Sequence, residues 1–119
     1  MHNALSLIHT KIEQVEAIVD RYGSVTAALE DEVLGRPAIL MHLVAIAEQF
    51  GRLQKDLEFA VLERFDKEDI RGAFAMRNFI AHDYEGINLA IVENVIRHYL
   101  PRIKQVIVHS ERYFDGKSV

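Results

Sequence analysis

Apolar residues recur every three to four positions along almost the whole chain, which is the spacing of an amphipathic α-helix. The first stripe contains Leu5, Ile8, Ile12 and Val15. It predicts a helix over about residues 3–21, with Gly23 just past its end as a C′ residue. No segment shows the period-two alternation of a strand, so the pattern predicts an all-α fold.

A second long stripe follows Pro37, which suits a first helical turn because its missing N–H costs nothing there. Its apolar positions are Ile39 or Leu40, Leu43, Ile46 or Ala47, Phe50 and Leu53. Ahead of it, residues 24–35 predict one or two short helical turns, capped by Ser24 or Thr26, or a segment that merges with the following helix. Residues 54–68 are densely charged and predict an irregular or short helical connection.

The third main helix is predicted from about Asp66, a suitable N-cap, to about His82, with Gly86 as its natural terminator. Asn88 then caps a last helix, and Pro101 inside it predicts a kink because the apolar stripe resumes beyond the proline. That stripe contains Ile91 or Val92, Val95, Tyr99, Ile103 and Val106 or Ile107. Four long helices with mostly short connections predict an up-and-down four-helix-type bundle.

Length and composition favour a single domain over residues 1–119, since half of the residues are apolar and can supply one core. There is no cysteine, so disulfides and thiolate metal sites are excluded. The N-terminal segment lacks a basic stretch followed by an unbroken apolar run, which argues against a signal peptide. Apolar runs also fall short of the ~20 residues of a membrane span. These features predict a soluble, cytoplasmic protein.

The formal net charge of −4 argues against a basic scaffold that coats nucleic acid. It does not argue against an enzyme that acts on nucleic acid, because a local group of arginines can make a positive patch on an acidic protein.

The segment "MRNFIAHDYEG", residues 76–86, carries the candidate chemistry. At ~100° per residue, Arg77 and Tyr84 fall within about 20° of each other, and Asn78 and His82 within about 40°. Asn78 could then orient the imidazole of His82, and Arg77 would project beside Tyr84. His82 lies at the helix end, where the dipole favours a positive charge, so it suits acid–base chemistry.

These residue types fit cleavage of RNA without a metal. That reaction needs a base for the 2′-hydroxyl, an acid for the leaving 5′-oxygen and a fixed cation for the phosphoryl oxygens. Histidine transfers protons near neutral pH, and arginine clamps phosphate. One histidine cannot easily act as both acid and base in a single step. A symmetric homodimer with the motif near its interface would supply two copies of His82 and Arg77.

The order Arg77-Asn78-x-x-x-His82-x-Tyr84 resembles the Arg-polar-x(3)-His signature of the HEPN superfamily. The tyrosine, the following "GI" and the capped helix after them resemble its HepT-like branch. The likeness covers most of the chain: a long first helix, "LVAIAEQFGRL", "AMRNFIAHDYEGIN" and a last helix with Leu-Pro. The Gly35-Arg36-Pro37 sequence is a departure that could interrupt the second helix.

The resemblance implies a helical bundle that dimerises with the motif in a cleft and acts as a metal-independent endoribonuclease without a cofactor. It implies the toxin of a type VII-like toxin–antitoxin pair. The implied partner is a minimal nucleotidyltransferase antitoxin of the MNT type, which transfers AMP from ATP to the motif tyrosine, here Tyr84. AMP beside Arg77 and His82 would fill the site with bulk and negative charge.

Each motif residue also has a structural alternative. His82 could cap the helix, Asn78 could hold the loop through Gly86, and Tyr84 could be a half-buried packing residue. Arg77 could be salt-bridged. Its candidate acidic partners are Asp69, Asp83 and Glu85. Asp83 is assigned a supporting role, in which it pairs with Arg77 and holds it ready.

Two further classes of function stay open. One is a non-catalytic helical module that binds a nucleotide or a nucleotidyltransferase partner, with Arg77 on a phosphate and no need for His82. The other is a plain dimerisation bundle. The histidines at positions 2, 9, 42, 98 and 109 do not predict a metal site, because no glutamate has a histidine three residues later. Arg97, Arg102 and Lys104 either extend a phosphate-binding surface or form a solvated face.

Overall fold

Seven α-helices and one π-helical turn make up the part of the chain that the computed structural model describes, which is the backbone of residues 3–118 and the side chains of residues 3–110. The helices are α1 (Asn3–Tyr22), α2 (Val25–Glu30), α3 (Gly35–Lys55), α4 (Phe59–Leu62), α5 (Lys67–His82), α6 (Leu89–Asn94) and α7 (Leu100–Ser118), and the π turn is Val95–Tyr99. Residues 3–118 contain no strand. The all-α prediction is confirmed.

α1 ends at Tyr22, directly before Gly23, which the sequence predicts as its C′ residue. Gly23 adopts a φ of +88°, in the left-handed region that favours glycine, and stops the helix. Ser24 then caps α2, since its Oγ accepts a hydrogen bond from the backbone N–H of Ala27 at 3.0 Å. Of the two predicted caps, Thr26 has another role: its hydroxyl donates to Glu93 at 2.9 Å and ties α2 to α6.

The Gly35-Arg36-Pro37 sequence does not interrupt the second long helix. It forms the first turn of α3, which then continues to Lys55. A Cβ atom on Gly35 would overlap the carbonyl oxygen of Ala28, so glycine lets the backbones of α2 and α3 approach closely. The departure from the family pattern is therefore accommodated at the start of the helix.

The predicted apolar stripes meet in one core. α1 packs against α3 and α3 against α5, while α7 contacts both α1 and α5, so the long helices form the predicted bundle. The largest fully buried side chains are Phe50, Leu5, Ile8, Ile12, Ile39, Leu40, Ile46, Met76, Ile103 and Ile107. The charged 54–68 connection contains the short α4, and Phe65 fastens it to the core by an edge-to-face contact with Phe50 at 5.1 Å.

The last helix is irregular before Pro101 and not at it. α6, the π turn and α7 are continuous, since Val95 and Leu100 both keep right-handed helical backbone angles. Leu100 donates its N–H to the carbonyl of Val95, five residues back. Proline removes one helical donor and crowds the preceding turn, so a π turn just ahead of it lets the helix continue. The irregularity that Pro101 predicts in the last helix is therefore present as a π turn just ahead of the proline, a feature at which helices kink.

Within residues 3–118, no helix combines the length and the apolar character needed to cross a bilayer.

Candidate active site at the end of α5

The candidate site depends on how α5 is anchored. The side chain of Asp66 accepts a hydrogen bond from the N–H of Glu68 at 2.8 Å and caps the helix as predicted. Ala73, Met76 and Ile80 are buried and fix which face of α5 meets the core. The polar residues of the motif therefore lie on the remaining faces and at the helix end.

α5 ends at the predicted residue, His82, but the residue that ends it is not the predicted Gly86. The helix ends at His82 because Asp83 leaves the helical region, with φ −151° and ψ 77°. The Oδ1 atom of Asp83 accepts a hydrogen bond from the N–H of Gly86 at 3.0 Å. Gly86 does not terminate the helix; it is needed because a Cβ atom there would overlap the carboxylate of Asp83. Asp83, and not Asn78, holds this loop.

Arg77 is half-buried and forms no ion pair with the acidic residues Asp69, Asp83 and Glu85. Its Cζ atom lies 5.3 Å from the centroid of the Phe74 ring, a cation–π contact. Within residues 3–110, its guanidinium has no hydrogen bond, so all five N–H donors are available. The salt bridges considered for Arg77, to Asp69, Asp83 and Glu85, are therefore not formed, and this includes the predicted pairing with Asp83.

His82 and Asn78 are both exposed, and no hydrogen bond joins them. The orientation of His82 by Asn78, which the four-residue spacing allows, is therefore not formed. Within residues 3–110, neither side chain has a hydrogen-bond partner, so both are open to a substrate or to a second protein chain.

Tyr84 lies outside the helix, which changes its predicted relation to Arg77. The angle of about 20° holds only if the helix continues to residue 84, and it ends two residues earlier. Tyr84 instead occupies the loop and is 38% exposed. Its hydroxyl has no hydrogen bond among the described residues, which leaves it accessible for chemistry.

Arg77 and His82 leave α5 in different directions. Five residues correspond to about 140° around an α-helix. Arg77 points toward α3, where a Cβ atom built on Gly51 would lie 4.0 Å from Nη1. His82 occupies the last helical position and faces solvent. A single chain thus presents its candidate phosphate clamp and its candidate proton-transfer group on separate faces.

A shallow groove next to the motif is a feature that sequence reasoning missed. It is lined by Phe79, Asp83, Gly86, Ile87, Asn88 and Ile91. Phe79 is 48% exposed and Ile91 is 39% exposed. The signal was present in the sequence, because Phe79 is an aromatic residue between the polar positions of the motif. An exposed ring beside His82 could stack on a base or pack against a second chain.

Three basic residues of the last helix form ion pairs with acidic side chains, namely Arg97, Arg102 and Lys104. Arg97 pairs with Glu93, and Lys104 pairs with Glu16 at 2.7 Å. Arg102 makes three hydrogen bonds to Asp69. These cations therefore form ion pairs and do not extend a free phosphate-binding surface from Arg77.

The histidines away from the motif do not gather into a site. Between residues 3 and 110, no three His, Asp or Glu side chains come close enough to hold a metal ion, and His2 lies outside the described residues. His42 is half-buried in the groove between α1 and α3, where burial, together with nearby Lys11, lowers the pKa of its imidazole.

Comparison with known families identifies the family of this chain. A family model described as Ribonuclease HepT-like matches residues 8–110, which is well over half of the chain and includes the whole motif. No curated protein and no solved structure matches the sequence. The chain belongs to the HepT-like ribonuclease family.

Proposed function

We propose that this chain is a HEPN-type, metal-independent endoribonuclease that acts as a homodimer. Membership of the HepT-like ribonuclease family supports activity on RNA. The observation that carries the finer proposal is that Arg77 has no acidic partner among residues 3–110 while His82 is exposed at the end of the same helix. An arginine without a carboxylate partner can clamp a phosphate, and an exposed imidazole can transfer protons.

The separation of the two groups supports the proposed homodimer. Because Arg77 and His82 leave α5 about 140° apart, one chain cannot readily surround a phosphate with both. A twofold axis near the end of α5 brings a second helix end to the same cleft. The composite site then holds two imidazoles and two guanidiniums, enough for a base, an acid and a phosphate clamp.

The reaction in such a site is a transesterification. One imidazole takes the proton of the 2′-hydroxyl, whose oxygen attacks the adjacent phosphorus. The bond from phosphorus to the 5′-oxygen breaks, and the second imidazole, in its protonated form, donates a proton to that oxygen. Arg77 stabilises the charge on the non-bridging oxygens. The products are a 2′,3′-cyclic phosphate and a 5′-hydroxyl. Asn78, exposed on the same helix, is assigned to substrate positioning.

Regulation by an MNT-type nucleotidyltransferase antitoxin is the second part of the proposal. The Tyr84 hydroxyl is accessible and lies two residues after His82. Its oxygen would attack the α-phosphorus of ATP and release pyrophosphate, which leaves AMP on the tyrosine. The added phosphate and base would block the cleft and repel RNA. In this setting the chain is a toxin of the cytoplasm, with residues 1–119 as one HEPN-like domain.

The test of the nuclease is cleavage of end-labelled RNA in excess EDTA at matched protein concentration. Wild type should release 2′,3′-cyclic phosphate ends, and His82→Ala should lose at least ~100-fold in rate, as expected for removal of a proton-transfer group. His98→Ala, which removes an exposed histidine from the π turn, is the matched control and should cleave normally. Equal rates for wild type and His82→Ala would refute the proposal.

The test of the modification uses an MNT-type nucleotidyltransferase and ATP. Mass spectrometry should find one AMP per chain, on Tyr84, and cleavage should stop. Tyr84→Phe should remain active and unmodified, whereas Tyr99→Phe, a change to a half-buried tyrosine, should be modified like wild type. AMP on a different residue, or continued cleavage by the modified protein, would contradict this part.

A non-catalytic module that binds a nucleotide or a partner remains a second candidate. The observation that favours it is again the divergence of Arg77 and His82, since a single chain can hold a phosphate with Arg77 alone. In that case Arg77→Ala would abolish nucleotide or RNA binding, His82→Ala would leave it unchanged, and the purified dimer would not cleave RNA.

A further inference from the structure

Arg77 occupies an unusual place for a half-buried cation. Its guanidinium lies over the Phe74 ring, one turn earlier on α5, with Cζ 5.3 Å from the ring centroid. Both groups rest against α3 at Gly51. A Cβ atom built there would lie 3.8 Å from Phe74 Cε1 and 4.0 Å from Arg77 Nη1. We call this environment, formed by Phe74 and Gly51, the Arg77 slot.

Arg102 provides a comparison within the same molecule. Its Cζ also lies over an aromatic ring, that of Tyr99, at 5.2 Å. However, Arg102 donates three hydrogen bonds to Asp69, so its guanidinium is already occupied. Arg77 has the ring contact without the carboxylate, and within residues 3–110 its donors are unused. The ring attracts the cation through its quadrupole but accepts none of the in-plane N–H groups.

We propose that Phe74 and Gly51 are positioning residues for Arg77. Phe74 holds the guanidinium in place without neutralising it, and Gly51 keeps the space beside Nη1 open. This inference rests on the proposed role of Arg77 at the substrate phosphate and adds the reason why the clamp is both ordered and free. A carboxylate in the same place would order Arg77 equally well, but it would occupy the donors that a phosphate needs.

The ring contact is tested first by a measurement that does not depend on activity. Stacking on an aromatic ring should shift the Arg77 Hδ and Hε proton signals upfield in the NMR spectrum. Phe74→Leu should remove that shift, and Phe74→Tyr, which keeps the ring, should preserve it. An Arg77 side chain with the same chemical shifts in wild type and Phe74→Leu would overturn the slot.

Cleavage and binding then test the consequence. Phe74→Leu should lower kcat/KM by roughly 3- to 10-fold, the range expected from loss of a cation–π contact, and Phe74→Tyr should restore it to within about two-fold of wild type. An oligonucleotide with 2′-deoxy substitution measures affinity without cleavage. Phe74→Leu should weaken its binding in wild type and have no further effect in Arg77→Ala, since the ring acts only through Arg77. An equal loss in both backgrounds would mean that Phe74 has a merely structural role.

Gly51 is tested by a graded pair of substitutions. Gly51→Ala adds only a Cβ, at ordinary contact distance from Phe74 and Arg77, and serves as the reference for the larger substitution. Gly51→Leu has a similar helix propensity but extends beyond Cβ toward Phe74 and Arg77, so it should lower cleavage and alter the Arg77 signals. Full activity of a folded Gly51→Leu would overturn the part assigned to Gly51.

The two proposals fail in different ways. If the Arg77 signals respond to Phe74 as expected but RNA cleavage does not depend on Arg77, the slot stands and the role of Arg77 at the phosphate is refuted. If cleavage requires Arg77 but neither its signals nor its affinity for the oligonucleotide responds to Phe74, the nuclease stands and the slot is refuted.

Discussion

The contact between Gly72 of α5 and Tyr99 of the π turn allows a sharp test of how the motif helix is docked. A Cβ atom on Gly72 would overlap Cε2 and Cδ2 of the Tyr99 ring and would lie only 3.3 Å from Cζ. Alanine can replace Gly72 only if the Tyr99 ring moves. That ring also lies against Arg102, whose guanidinium binds the buried carboxylate of Asp69. The substitution therefore disturbs the whole α5–α7 junction.

The expected magnitude is a sum of opposing terms. Alanine in a helix interior gains about 1 kcal/mol over glycine. Forcing the ring to move costs about 1–3 kcal/mol, as for other overpacked sites. Weakening the hydrogen bonds to the buried Asp69 carboxylate adds about 1–3 kcal/mol. Gly72→Ala should thus lower the free energy of unfolding by about 1–5 kcal/mol, which at about 4 °C per kcal/mol is a fall in Tm of roughly 4–20 °C.

Gly51→Ala is the matched control, since it is the same substitution within a long helix. Its Cβ would meet Phe74 and Arg77 only at ordinary contact distances. It should therefore keep its propensity gain of up to about 1 kcal/mol. Urea denaturation followed by circular dichroism at 222 nm measures both variants. If Gly72→Ala proves as stable as Gly51→Ala, then Tyr99 does not lock α5 onto the last helix and the reasoning is refuted.

Three further changes test the capping and electrostatics of the chain. Asp66→Ala removes the N-cap of α5 and should lower the free energy of unfolding, measured by urea denaturation, by about 1 kcal/mol. Asp66→Ser replaces one capping side chain by another and should keep most of the stabilisation that the cap provides. Asp83→Ala removes the acceptor for the N–H of Gly86 and should slow RNA cleavage several-fold. Asp83→Asn keeps an acceptor and should cleave like wild type. If both variants lose the same amount of activity, the effect comes from the negative charge of Asp83 and not from this hydrogen bond. The Tyr22 hydroxyl donates a hydrogen bond to Asp31 and lowers the pKa of that carboxyl group. This hydrogen bond therefore stabilises the fold above about pH 4, and the stabilisation is lost as the pH falls through the lowered pKa of Asp31. Thermal melts of Tyr22→Phe should therefore show a smaller loss of stability on acidification below pH 4 than wild type, and identical pH profiles would contradict this.

The helical core was predictable because it depends on local periodicity. The stripes of α1 and α3 consist of side chains whose burial follows from their spacing alone, and the caps at Ser24, Asp66 and Asn88 act within three residues of their own position. The π turn could not be located in the same way. A proline inside an apolar stripe predicts that the helix is irregular nearby, but it predicts neither the form of the irregularity nor the residues that adopt it.

The sequence yields candidate residues for the site but not their geometry. Arg77, His82 and Tyr84 were identified from their order along the chain. The angular argument that placed Arg77 beside Tyr84 failed because it assumed that α5 continues past His82. What ends the helix is the Asp83 backbone together with its side-chain bond to Gly86, a loop conformation that periodicity does not describe.

The acidic composition of the chain bears on the role that we propose for the surroundings of Arg77. With 18 acidic against 14 basic residues, a half-buried arginine is easily captured by a carboxylate. Among the described residues, the half-buried Arg36 pairs with Glu32. Exposed arginines also pair with Glu or Asp, namely Arg71, Arg97 and Arg102. A guanidinium captured in this way is ordered but cannot bind phosphate well, because its donors are occupied. Among residues 3–110, the Arg77 guanidinium contacts an aromatic ring and no carboxylate, so none of its donors is occupied there despite the acidic composition of the chain.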